Sequence, residues 1–292
     1  VMSGTPTDGE VDNILITATN VGGSDTETLV VTVGSFADLG LVTINNGAVY
    51  SQVRSGNLTY FGGDFTQVTD ANGTYARNRA ACLDFSTGLW TAWNPNGNVT
   101  VNALAVFGTH VVLGAGPGTT GGVAHTGLCR ADLTTGAVDA SWTPALNAGS
   151  VKALLVPAVS DDLYVGGDFD TIDGSPRVCL ASFQAVTYAL RSWRPHVGSD
   201  FITAGGVVRA LAPAGDTILW AGDGPVRIAT LGVSQVYSFG RTAKSDGTTA
   251  VYVYGGYSSF DAFACHALDA RDYIGGGFAG FDFIADSSSF VT

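Results

Sequence analysis

Apolar and polar residues alternate with a period of two over short runs, and glycine, asparagine and aspartate separate the runs. Such alternation predicts half-buried β-strands joined by tight turns. The runs "VTVNALAV" (99–106), "SVKALLV" (150–156) and "VVRALAP" (207–213) predict one kind of strand. Each leads into a glycine-rich second strand: "VVLGAG" (111–116), "LYVGGDF" (163–169) and "ILWAGDG" (218–224). A third strand carries a cysteine or its neighbour, in "AACLDFSTG" (80–88), "GLCRADLTTG" (127–136) and "VCLASF" (178–183). No stretch shows the 3.6-residue spacing of an amphipathic helix.

The runs recur. Trp93, Trp142 and Trp193 each stand two residues before a proline, 49 and 51 residues apart. "LTYFGGDFTQV" (58–68) returns as "LYVGGDFDTI" (163–172). A unit of about 50 residues with roughly four short strands has the period of a propeller blade, whose two faces are buried only by neighbouring copies. Gly62, Gly63, Gly166 and Gly167 are therefore expected to mark close backbone approach rather than a phosphate loop. Turn-like residues follow them, where a phosphate loop needs a helix start.

The order "(L/V)YVGGDF … CLxF … TG … W-x-P … V-x-AL-x-V" resembles kelch-like β-propellers, and in particular the double-glycine repeats of bacterial surface proteins and some phage proteins. The resemblance covers roughly residues 35–292 and implies an all-β propeller of about five to six four-stranded blades. Residues 36–54 read as strands that precede the first glycine pair, and strands from both chain ends are expected to complete one blade. Near the C-terminus, "VYVYGGYSSFDAFACHALDA" (251–270) and "DYIGGGFAGFDFIA" (272–285) bring two glycine pairs about 20 residues apart, so the last blade is expected either to be truncated or to lack residues. Residues 1–34 differ. Their "SGTPT" turn, "ILITATN" alternation and closing "TLVVTV" resemble the C-terminal strands of the immunoglobulin-like domains of bacterial surface and phage tail proteins. A complete domain of that kind needs about 100 residues, so the chain is expected to be a piece of a longer polypeptide or to borrow strands from another copy. The expected organisation is 1–34, partial sandwich, and 35–292, propeller.

Composition narrows the function. Of 292 residues, 46% are hydrophobic and 13% charged, ample for a packed core. The net charge is −12 with two lysines, Lys152 and Lys244. Such a surface repels phosphate backbones, so nucleic acid is not an expected partner. No run approaches the roughly 18 apolar residues of a membrane helix, so no membrane insertion is expected, and "VMSGTPTDGE" is not a signal peptide. Cys82, Cys129, Cys179 and Cys265 read as equivalent points of successive sheets, roughly 10 Å apart, beyond the reach of about 7 Å that a disulfide needs. Free, buried thiols are expected, and without C-x-x-C spacing, no zinc. "NLT" (57–59), "NGT" (72–74) and "NVT" (98–100) fit the N-glycosylation pattern, which matters only in a eukaryotic secretory pathway.

Chemistry-bearing residues are sparse. His110, His125, His196 and His266 have no fixed partner; His125 reads as an exposed loop residue. The acidic turns are the metal candidates. Asp64 and Asp70 flank one, and Asp168, Asp170 and Asp173 the matching one. Of these, Asp64, Asp70, Asp168 and Asp173 are weak calcium candidates, against the plain turn chemistry of Asp and Gly. "KSDGTTAVY" (244–252) has only a superficial likeness to an aspartate box and reads as a hairpin. The repeated tryptophans point to packing between blades rather than sugar stacking, and Trp90, Trp220, Tyr254 and Tyr257 are unproven as ligand contacts. No cofactor and no catalytic residue is expected.

The resemblance implies a non-catalytic extracellular module: a phage tail or capsid-surface component, or a bacterial surface adhesin. Its propeller would contact other subunits of a virion or surface assembly, or a host-surface glycan or protein. The alternative is a carbohydrate-active enzyme, a glycosidase or lyase, on the same scaffold. A glycosidase would need two carboxylates roughly 5–10 Å apart in one cleft.

Overall fold

The computed structural model describes residues 12–20, 23–31, 42–158, 162–184, 186–193, 206–214, 217–223, 237–243, 249–254, 260–266 and 271–276, with side chains described within 42–158, 162–184, 186–193, 206–213 and 218–222. The fold is all-β. β1 (Asp12–Asn20) and β2 (Gly23–Val31) pair as an antiparallel hairpin with Ile14 opposite Leu29.

β3 (Thr43–Asn45), β4 (Val49–Ser55), β5 (Leu58–Gly63), β6 (Gln67–Asp70), β7 (Gly73–Ala76), β8 (Ala80–Asp84) and β9 (Leu89–Trp90) make the first unit: a four-stranded sheet β4-β5-β8-β9 and a small sheet β3-β6-β7. The second unit holds β10 (Val101–Phe107), β11 (His110–Ala115), a hairpin of β12 (Gly118–Thr120) and β13 (Val123–His125), and β14 (Leu128–Asp132). The third repeats it with β15 (Val151–Leu155), β16 (Asp162–Gly167), a hairpin of β17 (Thr171–Ile172) and β18 (Ser175–Pro176), and β19 (Leu180–Gln184). In both, the fourth strand shrinks to a single bridge, Ala131–Val138 and Phe183–Leu190. The fourth sheet is again four-stranded, with β20 (Val207–Ala214), β21 (Thr217–Asp223), β22 (Tyr237–Ala243) and β23 (Thr249–Tyr254) in order; β24 (Phe260–His266) and β25 (Arg271–Gly276) begin a fifth. All the ladders are antiparallel, and the first strands lie in a row: β4 beside β10, β10 beside β15, β15 beside β20, β20 beside β24.

One device joins each sheet to the next. The first strand bulges at its start in all five sheets, between Val49 and Ser51, Val101 and Ala103, Val151 and Ala153, Val208 and Ala210, and Phe260 and Ala262. Opposite that bulge stand Gly62–Gly63, Gly166–Gly167 and Gly275–Gly276, with Gly114–Ala115 in the second sheet and Ala221–Gly222 in the fourth. A Cβ on the first glycine would meet the valine that opens the next sheet: Val101 Cγ1 at 2.6 Å from Gly62, Val151 Cγ1 at 2.6 Å from Gly114, and Val208 Cγ1 at 2.6 Å from Gly166. On the second glycine it would run into the bulging carbonyl of its own sheet, Ala48 O at Gly63, Ser150 O at Gly167 and Val207 O at Gly222. The pair therefore serves two different contacts, one between sheets and one within.

Between sheets, apolar side chains from both faces interdigitate. Tyr60, Ala80 and Cys82 of the first sheet pack with Leu104, Val111, Leu113 and Cys129 of the second. Phe107, Val112 and Leu128 pack with Leu163, Val165 and Phe183 of the third, and Tyr164 and Leu180 with Ile218 and Trp220 of the fourth. Both faces of the middle sheets are buried, so successive residues such as Val111 and Val112 serve different cores.

Two expectations need correcting. The cysteines are not equivalent: Cys82 lies opposite Tyr60, Cys129 opposite Leu113, Cys179 just before β19, and Cys265 on β24, a first strand. A run such as "FACH" alternates like any other strand and does not reveal which strand of the unit it is. Cys82, Cys129 and Cys179 are free and buried as expected. The C-terminal register also differs. "VYVY" (251–254) belongs to β23, paired with β22 as the fourth strand of its sheet, and the pair at the bulge position is Gly275–Gly276. Gly255 and Gly256 lie outside the described residues, as do His196 and Tyr257. β22 and β23 flank "KSDG" as antiparallel partners, Thr242 opposite Thr249, so the hairpin stands.

Replacing Gly62, Gly114 or Gly166 with alanine should each cost about 1–3 kcal/mol in chemical denaturation through overpacking. Gly116→Ala is the control: its nearest neighbour, Ser150 Cβ, lies at 3.9 Å, and the change should be close to neutral. Equal effects at all four positions would contradict the inter-sheet contact.

Candidate functional site

The aspartates that follow the glycine pairs hold backbone. Asp64 Oδ1 accepts the Ala48 N–H at 2.5 Å and Oδ2 accepts the Tyr50 hydroxyl at 3.0 Å. Those donors lower the Asp64 carboxyl below its ordinary value, the Ala48 amide most of all. Asp168 Oδ1 takes the Ser150 N–H and, at 3.2 Å, its hydroxyl. Both carboxylates thus clamp the residue that opens the bulge. They also fill the space beside a glycine: a Cβ at Gly47 would lie 2.6 Å from Asp64 Oδ1, and at Gly149 2.5 Å from Asp168 Oδ1. In the second unit Gly116 stands in the aspartate's place and Val99 in the glycine's. Carboxylate and glycine are exchanged together, as two halves of one steric fit.

The remaining acidic candidates are equally committed. Asp70 is buried; Oδ1 accepts the Asn72 N–H at 2.9 Å and Oδ2 the Trp90 N–H at 2.8 Å. Asp173 Oδ1 accepts the Ala145 N–H at 2.8 Å. Asp170 Oδ2 faces the Asn147 amide at 3.4 Å. Asp64, Asp70, Asp168 and Asp173 each serve a different backbone donor. Among the described residues no three His, Cys, Asp or Glu side chains converge to hold a metal ion.

Trp93, Trp142 and Trp193 are buried at successive sheet interfaces. Trp93 meets Tyr60 edge-on at 5.0 Å and donates Nε1–H to Asp132 O at 2.9 Å. Trp142 meets Phe183 at 5.4 Å and donates to Tyr188 O at 3.0 Å. Trp193 meets Tyr164 at 5.1 Å. Each indole therefore fills a core, and those with a described bond satisfy their N–H on the adjoining sheet. Trp90 and Trp220 are buried as well, Trp90 donating Nε1–H to Thr69 O at 2.9 Å.

A second clamp recurs before the third strand. Arg77 Nη2 donates to Thr91 O at 2.7 Å, and Arg177 Nη2 to Arg191 O at 2.5 Å, in each case tying the hairpin to the fourth-strand segment. In the second unit His125 takes that place. It is 6% exposed, which corrects the expected loop histidine. Nε2 lies 2.9 Å from Thr120 Oγ1, and Nδ1 is buried with no hydrogen-bond partner. Burial lowers its pKa. The ionic clamp of this unit is instead Arg130, whose Nε and Nη2 donate to Asp139 Oδ2 at 2.9 and 2.5 Å. Asp139 is held down at about 2, by the Ser141 hydroxyl first and Arg130 next.

The repeat breaks most visibly at Tyr188. It occupies the place of Gly88 and Gly136 in the turn after the third strand and keeps their left-handed backbone, φ 55° against 67° and 77°. A tyrosine there costs about 1 kcal/mol or more in strain. Its side chain reaches back to the second sheet. The hydroxyl donates to Phe107 O at 3.0 Å and lies 3.1 Å from His110 Nδ1, while Arg130 stacks over the ring at 3.8 Å. Gly108 faces the hydroxyl: a Cβ there would lie 2.5 Å away. The structure thus assembles His110, Arg130, Asp139, Trp142 and Tyr188, a group that sequence reasoning did not see. A tyrosine in a glycine's place in the aligned turns was the available signal. The group contains one ion pair and no second carboxylate, so it has the means to lock two sheets and lacks the two-carboxylate pair of a glycosidase.

No protein-family model matches the chain, and no curated protein matches it. Among solved structures, the crystal structure of the computationally designed Ika8 protein is similar at 15% identity and a TM-score of 0.38, over 74% of this chain and 64% of that one. This chain therefore spans less than two thirds of that protein's length.

Tyr188→Phe should cost about 1 kcal/mol, since the Phe107 carbonyl loses its donor while the ring and its packing stay; an unchanged denaturation midpoint would contradict the lock. For His125 the sign follows from its lowered pKa. The unfolded chain binds the proton more readily, so the stabilisation is complete above the ordinary value of 6.5 and is lost as pH falls below it. His110 is lowered too, by burial first and then by Arg130. His125→Gln should therefore flatten the fall in stability between about pH 7 and 5 in part. Denaturation midpoints across that range test it, and a slope unchanged from wild type would refute the assignment.

Proposed function

We propose that this chain is a non-catalytic interaction module of an extracellular assembly, a phage tail or capsid-surface component or a bacterial surface adhesin. Its successive sheets are the blades of a kelch-like β-propeller of about five blades, and residues 1–34 are the C-terminal strands of an immunoglobulin-like domain that carries it. Other subunits of the assembly, or a host-surface glycan or protein, are its partners.

One observation carries this reading: the recurring polar residues are committed to holding the scaffold. Asp64 and Asp168 clamp backbone amides, Arg77 and Arg177 clamp backbone carbonyls, and the repeated tryptophans fill cores. A protein whose conserved-in-repeat chemistry is architectural offers its partners shape and exposed surface. An acidic, lysine-poor exterior fits an exposed location, where few trypsin-like cleavage sites are presented. The single-sign charge also keeps the module from nonspecific contact with other anionic surfaces.

Screening the purified chain on a glycan array and against polysaccharides tests the proposal. The expected outcome is retention on a restricted glycan or host-surface class, with no release of reducing ends or unsaturated sugars. Turnover of any polysaccharide would overturn it in favour of the glycosidase or lyase reading. Silence across the array would leave protein subunits as the partners.

A further inference from the structure

We infer that Val49 of β4 seats against Gly275 of β25, so that the row of sheets closes on itself through a seam more polar than its other interfaces. The inference rests on the propeller reading and names the contact that would complete it.

In three successive interfaces the valine at the bulge of one sheet fills the space beside the first glycine of the sheet before it: Val101 at Gly62, Val151 at Gly114, Val208 at Gly166; in the fourth, Ala221 and Phe260 hold the two positions. Val49 holds the same bulge position in the first sheet and is 40% exposed. Gly275 holds the glycine position in the fifth sheet, opposite Ala262 as Gly62 is opposite Ser51 and Gly166 opposite Ala153. Within this chain one valine and one glycine of the series are left over, and they are complementary by the rule the other three obey. The contact continues an interface already repeated from the first sheet to the fourth.

The same face of β4 differs from its counterparts. Where β10 offers Leu104 and Val106 to the preceding sheet, and β15 offers Leu154 and Val156, β4 carries Gln52 and Arg54 at the matching positions. Arg54 is directed to the Gly56 carbonyl at 2.8 Å and lies over the Phe85 ring at 5.7 Å. On its outer half the first sheet is already covered by its own small sheet, where Phe65, Val68 and Trp90 pack with Val42 and Ile44. The closing interface therefore buries less apolar surface than the others and is the one that opens first.

The test is a Val49→Cys/Gly275→Cys variant in which Cys265 is replaced by serine. Cys82, Cys129 and Cys179 are buried, with thiols raised by burial, and do not compete. Mild oxidation of the dilute protein should give an intramolecular disulfide in the monomer, read by intact mass and gel mobility. A second measurement needs no cysteine: amide exchange of the wild type against Val49→Asp. Exchange should be faster in β4 and β25 than in β10 and β15, and Val49→Asp should speed it in β25. A disulfide between copies, or no disulfide together with unchanged β25 exchange, would overturn the seam. X-ray scattering separates this failure from that of the propeller: a disc-like profile without the Val49–Gly275 contact removes the seam alone, and a rod-like profile removes both.

Discussion

At three sheet junctions a valine methyl occupies the space that a glycine Cβ on the neighbouring sheet would fill, and much of the remaining architecture follows from it. Sheets packed face to face ordinarily stand about 10 Å apart. The β-bulge at the start of β10, β15 and β20 drives a valine into the preceding sheet, and only the absence of a Cβ at Gly62, Gly114 and Gly166 leaves room for it. In the first, third and fourth sheets the bulge turns a carbonyl toward its own sheet, into the space a Cβ at Gly63, Gly167 or Gly222 would need. The displaced amides of Ala48 and Ser150 then need acceptors, supplied by Asp64 and Asp168. The tripeptide Gly-Gly-Asp is thus three answers to one distortion.

That chain of causes bears on function. Residues whose types suggest chemistry, such as aspartates in a turn, an arginine beside a histidine, or tryptophans at fixed spacing, turn out to be consumed by backbone groups and cores. Repetition is the common reason: a demand made by the scaffold arises once per unit and is met by the same residue type in the first and third units, as by Asp64 and Asp168 and by Arg77 and Arg177. Tyr188 and His125 depart from the pattern, and both serve the interface or interior of the second and third units. Apart from Val49 at the seam, the exposed large apolar side chains among the described residues, Tyr50, Phe85 and Val186, are the surface on which recognition has to be sought.

Much of this was legible in the sequence. The alternation of "VNALAV" and "VKALLV" located the first strands, the glycine pairs marked close approach, and the tryptophans marked the interfaces. What failed, failed for physical reasons. Period-two alternation is the same in every strand of a unit, so "VYVY" and "FACH" gave no hint of their rank in the sheet. Cysteine is small and apolar, and it settles at any buried site of about the right volume, so four cysteines at blade-like spacing occupied three different register positions and a different strand. The Arg130–Asp139–Tyr188 group comes from two units and a turn. It was hidden because its key residue stands where a left-handed backbone normally selects glycine.

Because each sheet is made from one contiguous segment, and the first three are each sealed by the valine of the next, the chain acquires its cores in order as it leaves the ribosome. At each stage the newest sheet presents an unfilled glycine hollow and an uncovered apolar face until about 50 further residues have emerged. Nascent chains held close together would offer one another's valines to those hollows. Exchange of whole units between neighbouring molecules is then the characteristic misfolding hazard of this architecture.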